Sequence, residues 1–258
     1  MSHIIVFHGI DHKAGCTMVS QSVAELIAKE KKELAVLFAA LNGRRSAGYV
    51  KEKTATMDDY KIQLKSGIGV DKNTLSPTRK TENLYIVAGV EREEEVRYYL
   101  PDMAQTFIES LCKKFDLLII DAGSEIDNGL AFGALKTKSL KYLIMEQCEG
   151  SLTRHEKMKE IYERLDIGFD RYVINKHFEN DPLTVKYVSS RLNVENALFM
   201  CVSNAEGGRA SEMEYRTLLE TAEGKYRTDI LKIANDIMAA ANFESIKLKR
   251  KRAWNSFM

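Results

Sequence analysis

His3-Ile4-Ile5-Val6-Phe7, the loop Gly9-Ile10-Asp11-His12-Lys13-Ala14-Gly15-Cys16-Thr17 and the run Met18-Val19-Ser20-Gln21-Ser22-Val23-Ala24-Glu25-Leu26-Ile27-Ala28 decide the fold. The first run is short and β-rich. In the last, apolar positions 19, 23, 26 and 27 recur at helical spacing, so the stretch reads strand, polar loop, helix. The pattern repeats down the chain. Leu34–Leu41 is apolar without alternation, as a strand buried on both sheet faces requires. Phe115-Asp116-Leu117-Leu118-Ile119-Ile120-Asp121 is the clearest strand, and Leu84–Ala88, Leu140–Met145, Arg171–Ile174 and Leu198–Val202 supply four more. Helical patterns lie at 91–114, with a boundary or kink at Pro101, and at 151–165, 182–191 and 209–242. Such alternation predicts an α/β fold, a mostly parallel β-sheet with helices on both faces. Residues 42–82 carry one short helix near Met57–Leu64; they read as a mobile excursion from the sheet, with no residue marked for a role.

Composition removes several classes. The chain has 258 residues, 45% hydrophobic and 29% charged, so it is neither disordered nor collagen-like. A chain this long buries enough surface to need no disulfide or metal staple. Net charge is +1, but residues 247–258 carry five cations and no acid, leaving −4 for the other 246 residues. Nucleic acid is therefore not expected as a specific partner. The four cysteines, at 16, 112, 148 and 201, lack zinc spacing, and the last three lie in or beside apolar runs as small hydrophobes. With no signal peptide and no apolar run approaching membrane length, a cytoplasmic location is expected. Residues 1–242 are read as one domain and 243–258 as a basic amphipathic tail. Trp254, Phe257 and Met258 among those cations suit peripheral contact with the inner face of the membrane. An acidic protein face, DNA phosphates or a plain solubilising end would use the same charges.

In a parallel sheet, ligands sit beyond the carboxyl ends of the strands, where residues 9–17 lie. Gly9 and Gly15 let the loop turn backbone amides toward an anion at the following helix N-terminus. Against G-x-x-x-x-G-K-[ST], Gly9 falls one place early and Cys16 stands where the phosphate lysine belongs. A helix N-terminus is expected to lower that thiol's pKa. Lys13 and His12 are candidate replacement charges, or ordinary residues of an exposed loop. Thr17 is a candidate Mg²⁺ or phosphate ligand, or a plain helix cap. Asp121, a charge at the end of a central strand, is costly unless hydrated, paired or bound to a cation, or it is a structural acid capping the next loop. Asn175, after Arg171-Tyr172-Val173-Ile174, reads as a turn asparagine at a strand end whose amide offers both a donor and an acceptor. Glu93-Glu94-Glu95, Asp127, His155 and His177 read as structural.

The order strand, altered phosphate loop, excursion, Asn83-Leu84-Tyr85-Ile86-Val87-Ala88-Gly89 and then residues 115–121 resembles the MinD/ParA-type P-loop ATPases over residues 3–240. The resemblance implies a P-loop NTPase-like domain that binds ATP or ADP with Mg²⁺, forms a homodimer and positions cellular machinery. Ala14, Gly15, Cys16 and Thr17 fall on the family's phosphate loop, Asp121 on its Walker B acid, Gly123 on its γ-phosphate-sensing glycine and Asn175 on its adenine-binding asparagine. The family's signature lysine falls on Asp11 and its phosphate-loop lysine on Cys16, while its D-x-D motif falls on Ala40-Leu41-Asn42. Such a degenerate Walker A loop resembles the atypical ParA-like proteins of Tad/Flp pilus assembly, which implies secretion or pilus components as partners. The expected function is a nucleotide-responsive positioning or scaffold protein with weak or absent hydrolysis. A functional ATPase and a pseudo-ATPase that binds no nucleotide are the alternatives.

Overall fold

The computed structural model describes residues 3–44, 49–50, 54–78, 80–222 and 224–247. Seven strands form one parallel sheet: β1 (His3–Gly9), β2 (Val36–Ala40), β3 (Leu84–Val87), β4 (Leu117–Asp121), β5 (Leu140–Glu146), β6 (Arg171–His177) and β7 (Phe199–Ser203). Their order across the sheet is β3-β2-β4-β1-β5-β6-β7. The α/β expectation of a mostly parallel sheet is met.

Alternate residues of each central strand enter opposite layers, because successive side chains of a strand point to opposite faces. Val6, Leu118 and Ile120 join one core, while Ile5, Phe7, Leu117 and Ile119 join the other. The second core is closed by α1 (Cys16–Glu30) and α9 (Lys225–Ala240). The first is closed by α3 (Pro101–Leu111), α4 (Gly129–Lys136), α5 (Glu149–Arg164) and α6 (Val185–Leu192). Burial on both faces explains why these strands read as unbroken apolar runs.

Three expectations change. The helix expected over 91–114 is a 3₁₀ segment, Glu93–Tyr98, followed by α3, which begins at Pro101, a residue suited to a first helical turn. The helix expected over 209–242 is three: α7 (Gly208–Glu214), α8 (Leu218–Thr221) and α9. Tyr215 and Gly224, with positive φ of 54° and 77°, mark the breaks. Helix α4 was not expected, because Gly129 and Gly133 weaken its pattern. Both are needed for contact with the preceding segment: a Cβ at Gly129 would lie 2.1 Å from Tyr99 O, and one at Gly133 would lie 2.3 Å from Pro101 O.

The excursion is also packed rather than loose where it is described. A 3₁₀ turn (Met57–Tyr60) and α2 (Lys61–Lys65) lead into a 3₁₀ segment (Lys72–Thr78). Met57, Tyr60, Leu64, Val70 and Leu75 are buried in the first core. At the other end, Ile246 is buried and its backbone N–H and C=O both bond the Asn235 side chain. The first part of the expected tail is therefore body; residues 248–258 lie outside the described residues.

Candidate functional site

Sheet register brings the site together. Asp121 ends β4 directly between Phe7 of β1 and Ala40 of β2. The loops that follow all three strands must therefore meet at its carboxylate. Its Oδ2 accepts the Thr17 hydroxyl at 2.5 Å and the Asn42 Nδ2 at 3.1 Å, and its Oδ1 accepts the Gly123 amide at 2.9 Å. Asp121 is fully buried. Three donors make that burial tolerable, since an unpaired charge there would be prohibitive.

Asn42 is oriented unambiguously. Its Oδ1 accepts the Arg44 backbone N–H at 3.0 Å, which turns its NH₂ toward Asp121. The residue that falls on an acid in the resembled motif thus donates to the carboxylate instead of adding charge beside it. Cys16 departs in another way. It is buried, and its β-carbon lies 3.5 Å from where a Cβ on Gly9 would stand. Burial, and then the Asp121 carboxylate, push its thiol pKa well above the ordinary value, the reverse of the lowering expected at a helix N-terminus. Cys16 is a neutral packing group beneath the loop.

The loop itself is braced from outside. Arg154 Nε donates to Ile10 O at 2.7 Å, Lys176 Nζ to Lys13 O at 2.9 Å and Asn175 Nδ2 to Ala14 O at 2.8 Å. Lys176 also pairs with Glu146. Lys13 and Gly15 adopt left-handed conformations, with φ of 63° and 89°. Gly15 has a second constraint, because a Cβ there would lie 2.2 Å from Asn175 Nδ2. With those carbonyls held, the amides opening α1 face free. Val19 is the first to take a helical acceptor, Gly15 O at 3.0 Å. Among the described residues, the amides of Gly15, Cys16 and Thr17 take none. Free N–H groups at the N-terminus of a 15-residue helix form a site for anionic oxygen.

The loops after β2 and β4 converge on His12. Its ring contacts Arg44 Nη2 at 2.9 Å, Glu125 Oε1 at 2.8 Å and Ser124 Oγ at 3.1 Å. Lys13 is exposed. Asp11 bonds the His12 amide at 2.7 Å and lies 3.8 Å from Arg154.

The structure brings together Gly9, Ala14, Gly15, Cys16, Thr17, Asp121 and Gly123, with His12 at the rim. Asn175 lies under the loop, buried, with its donor spent on Ala14. Sequence reasoning passed over Arg44, Ser124, Glu125, Arg154 and Lys176 as site residues, and marked Asn42 only as the place of a missing acid. Arg44, Ser124 and Glu125 follow the carboxyl ends of β2 and β4, a position that could have marked them. Arg154, on α5, carried no such signal. Of the other cysteines, 112, 148 and 201 are only partly buried, so the core-hydrophobe reading holds less well for them than for Cys16.

As to Mg²⁺, the donor set offers one hydroxyl, Thr17, and one carboxylate, Asp121, already 2.5 Å apart. That fits an ion held largely by ligand phosphates and water, the usual manner for Mg²⁺.

No protein-family model and no curated protein sequence matches this chain. Solved structures do. A ParA family ATPase from Chlorobium tepidum TLS superposes with a TM-score of 0.78 at 13% identity, over 90% of this chain and 97% of that one. The cell division ATPase MinD of Pyrococcus furiosus gives 0.73 at 17% identity, over 93% of this chain and all of the other. The septum site-determining protein MinD of Pyrococcus horikoshii OT3, complexed with Mg-ADP, gives 0.70 at 17% identity, over 93% and 98% of the two chains. At these identities the likeness establishes the fold alone: a parallel sheet flanked by helices, with P-loop NTPase-like architecture. Among the described residues no helix is long and apolar enough to cross a membrane.

Proposed function

We propose that this chain is a nucleotide-responsive positioning or scaffold protein whose loop at residues 9–17 binds ATP or ADP and hydrolyses it weakly or not at all. The observation that carries this reading is the helix opening: among the described residues the amides of Gly15, Cys16 and Thr17 meet no acceptor, while side chains tie back the neighbouring carbonyls. Such preorganised donors suit phosphate oxygens. Thr17 and Asp121 would hold Mg²⁺, which when bound supplies charge neutralisation for the phosphates.

The case for weak turnover is electrostatic. Cys16 places a neutral thiol where the resembled loop has a lysine, Asp11 an acid where it has another, and Asn42 an amide where it has a carboxylate. Each lost charge-assisted bond removes roughly 1.5–3 kcal/mol from phosphate binding or from the transition state. Homodimer formation, a cytoplasmic setting and contact of the tail with membrane belong to this reading by resemblance and by charge. Recruitment of secretion or pilus components rests on the altered loop alone.

Titration of the purified protein with fluorescent ATP, with and without Mg²⁺, tests binding, and phosphate release under saturating ATP tests turnover. Saturable binding with negligible release is expected. Absence of ATP and ADP binding would overturn the reading, and sustained release would favour a working ATPase.

A further inference from the structure

The loop's missing lysines leave an anion site short of charge, and the surrounding cations are unequally committed. Lys176 is spent on Lys13 O and Glu146, while Arg154, on α5, gives its Nε to Ile10 O and so acts as a brace of the loop. Among the described residues the Arg44 side chain holds no loop carbonyl. Its Nη2 alone contacts His12 and Glu125, and among the described residues its Nε and Nη1 donors meet no acceptor. The guanidinium bridges His12, in the loop after β1, and Glu125, in the loop after β4.

The backbone beneath it is built to hold it there. Gly43 turns with φ 71°, and a Cβ on it would lie 2.7 Å from the Val96 side chain. Gly89 passes so close that a Cβ would fall 2.0 Å from Arg44 O. The Arg44 N–H is fixed by Asn42 Oδ1, and Asn42 is fixed in turn by Asp121. These contacts fix the backbone from which the Arg44 side chain leaves.

Resting on the nucleotide reading above, we infer that Arg44 is a phosphate-binding residue of this site, supplying from the loop after β2 the positive charge that Cys16 and Asp11 do not. Its planar fork can take two phosphate oxygens at once, a geometry a lysine cannot offer. Glu125 opposes the incoming anion: its carboxylate lies 3.0 Å from Arg44 Nη2 and competes for the same charge.

The test measures dissociation constants for fluorescent ATP, with pyrophosphate as competitor. It compares the unaltered protein with Arg44→Ala, Arg44→Lys and Glu125→Gln, each checked for native folding by circular dichroism. Arg44→Ala is expected to weaken both ligands by about tenfold to a hundredfold, and Arg44→Lys to recover part of the loss. Glu125→Gln is expected to tighten both, because an amide oxygen can still accept from Arg44 without repelling phosphate. A folded Arg44→Ala protein that binds ATP within twofold of the unaltered chain overturns this inference and leaves the nucleotide reading standing. If the unaltered chain binds neither ligand, the nucleotide reading fails and this inference fails with it.

Discussion

The Thr17 hydroxyl lies 2.5 Å from Asp121 Oδ2 across 104 residues of sequence. Sheet order produces that contact: β4 is inserted between β1 and β2, so the acid ending it is enclosed by the loops that follow its neighbours. Asp121 is thus both the centre of the candidate site and a knot tying its loops together.

Replacing Asp121 by Ala should therefore cost stability as well as ligand binding. Thr17, Asn42 and the Gly123 amide would lose their shared acceptor. A loss of about 3 kcal/mol or more is expected in urea unfolding, since each buried donor left unmade costs roughly 1–3 kcal/mol. A change below about 0.5 kcal/mol would contradict the network.

Gly15 and Asn175 should be coupled. Gly15→Ala meets both a left-handed backbone and a side chain within 2.2 Å, so it should distort the loop and weaken anion binding. Adding Asn175→Ala removes the collision but not the backbone strain. The double variant should recover part of the binding lost in Gly15→Ala, and a double-mutant cycle measures the coupling. Simple additivity would argue against contact.

His8 should make stability pH-dependent. Burial lowers its pKa from 6.5 to about 4, and its ring contacts Tyr162 at 3.1 Å. Between those values the unfolded chain binds the proton and the folded one does not, so stability falls as pH drops from 6.5 toward 4. The contribution between pH 7 and pH 5 is about 2 kcal/mol. His155, also lowered by burial, acts in the same direction. His8→Gln should flatten the change in unfolding free energy between those two pH values; an unchanged slope would remove His8 as its source.

Gly133→Ala tests the close approach of α4 to the start of α3. The added methyl would lie 2.3 Å from Pro101 O, against backbone rather than a movable side chain. Helix propensity favours alanine by roughly 1 kcal/mol, but overpacking outweighs it. Net destabilisation of about 1–2 kcal/mol is expected in thermal or urea unfolding, and a stabilised variant would show that the helices separate at little cost.

Thiol chemistry distinguishes Cys16 from the rest. Its burial and raised pKa predict slow alkylation of the native protein at pH 8. Cys112, Cys148 and Cys201 are partly accessible and should be labelled first when sites are mapped by mass spectrometry. Early labelling of Cys16 would show that the loop opens readily.

Much of the fold was legible because it depends on local pattern. Residues 117–120 and 36–40 are apolar on both faces, which only a doubly covered strand explains, and the helix after Gly15 announced itself by spacing. Helix α4 escaped because its glycines answer to packing against Tyr99 and Pro101, which local periodicity does not encode. The short helix near Met57–Leu64 was legible, but the packing of residues 57–75 was not, for a related reason. Their apolar side chains are sparse and irregular in sequence, yet they converge on the layer that α3 covers.

At the site, sequence alone determined which groups were present and which were missing: a glycine loop before a helix, a hydroxyl, a strand-end acid and no lysine at position 16. Those are facts of residue type and order, readable one after another along the chain. Only the tertiary structure decided that Asn42 gives its hydrogens to Asp121, that Cys16 is buried and neutral, and that Asn175 braces Ala14. It alone also set Arg44 beside His12 and Glu125. The physical reason is that proton affinity, hydrogen-bond direction and usable charge depend on neighbours, and here the neighbours come from strands distant in sequence that the sheet order places side by side.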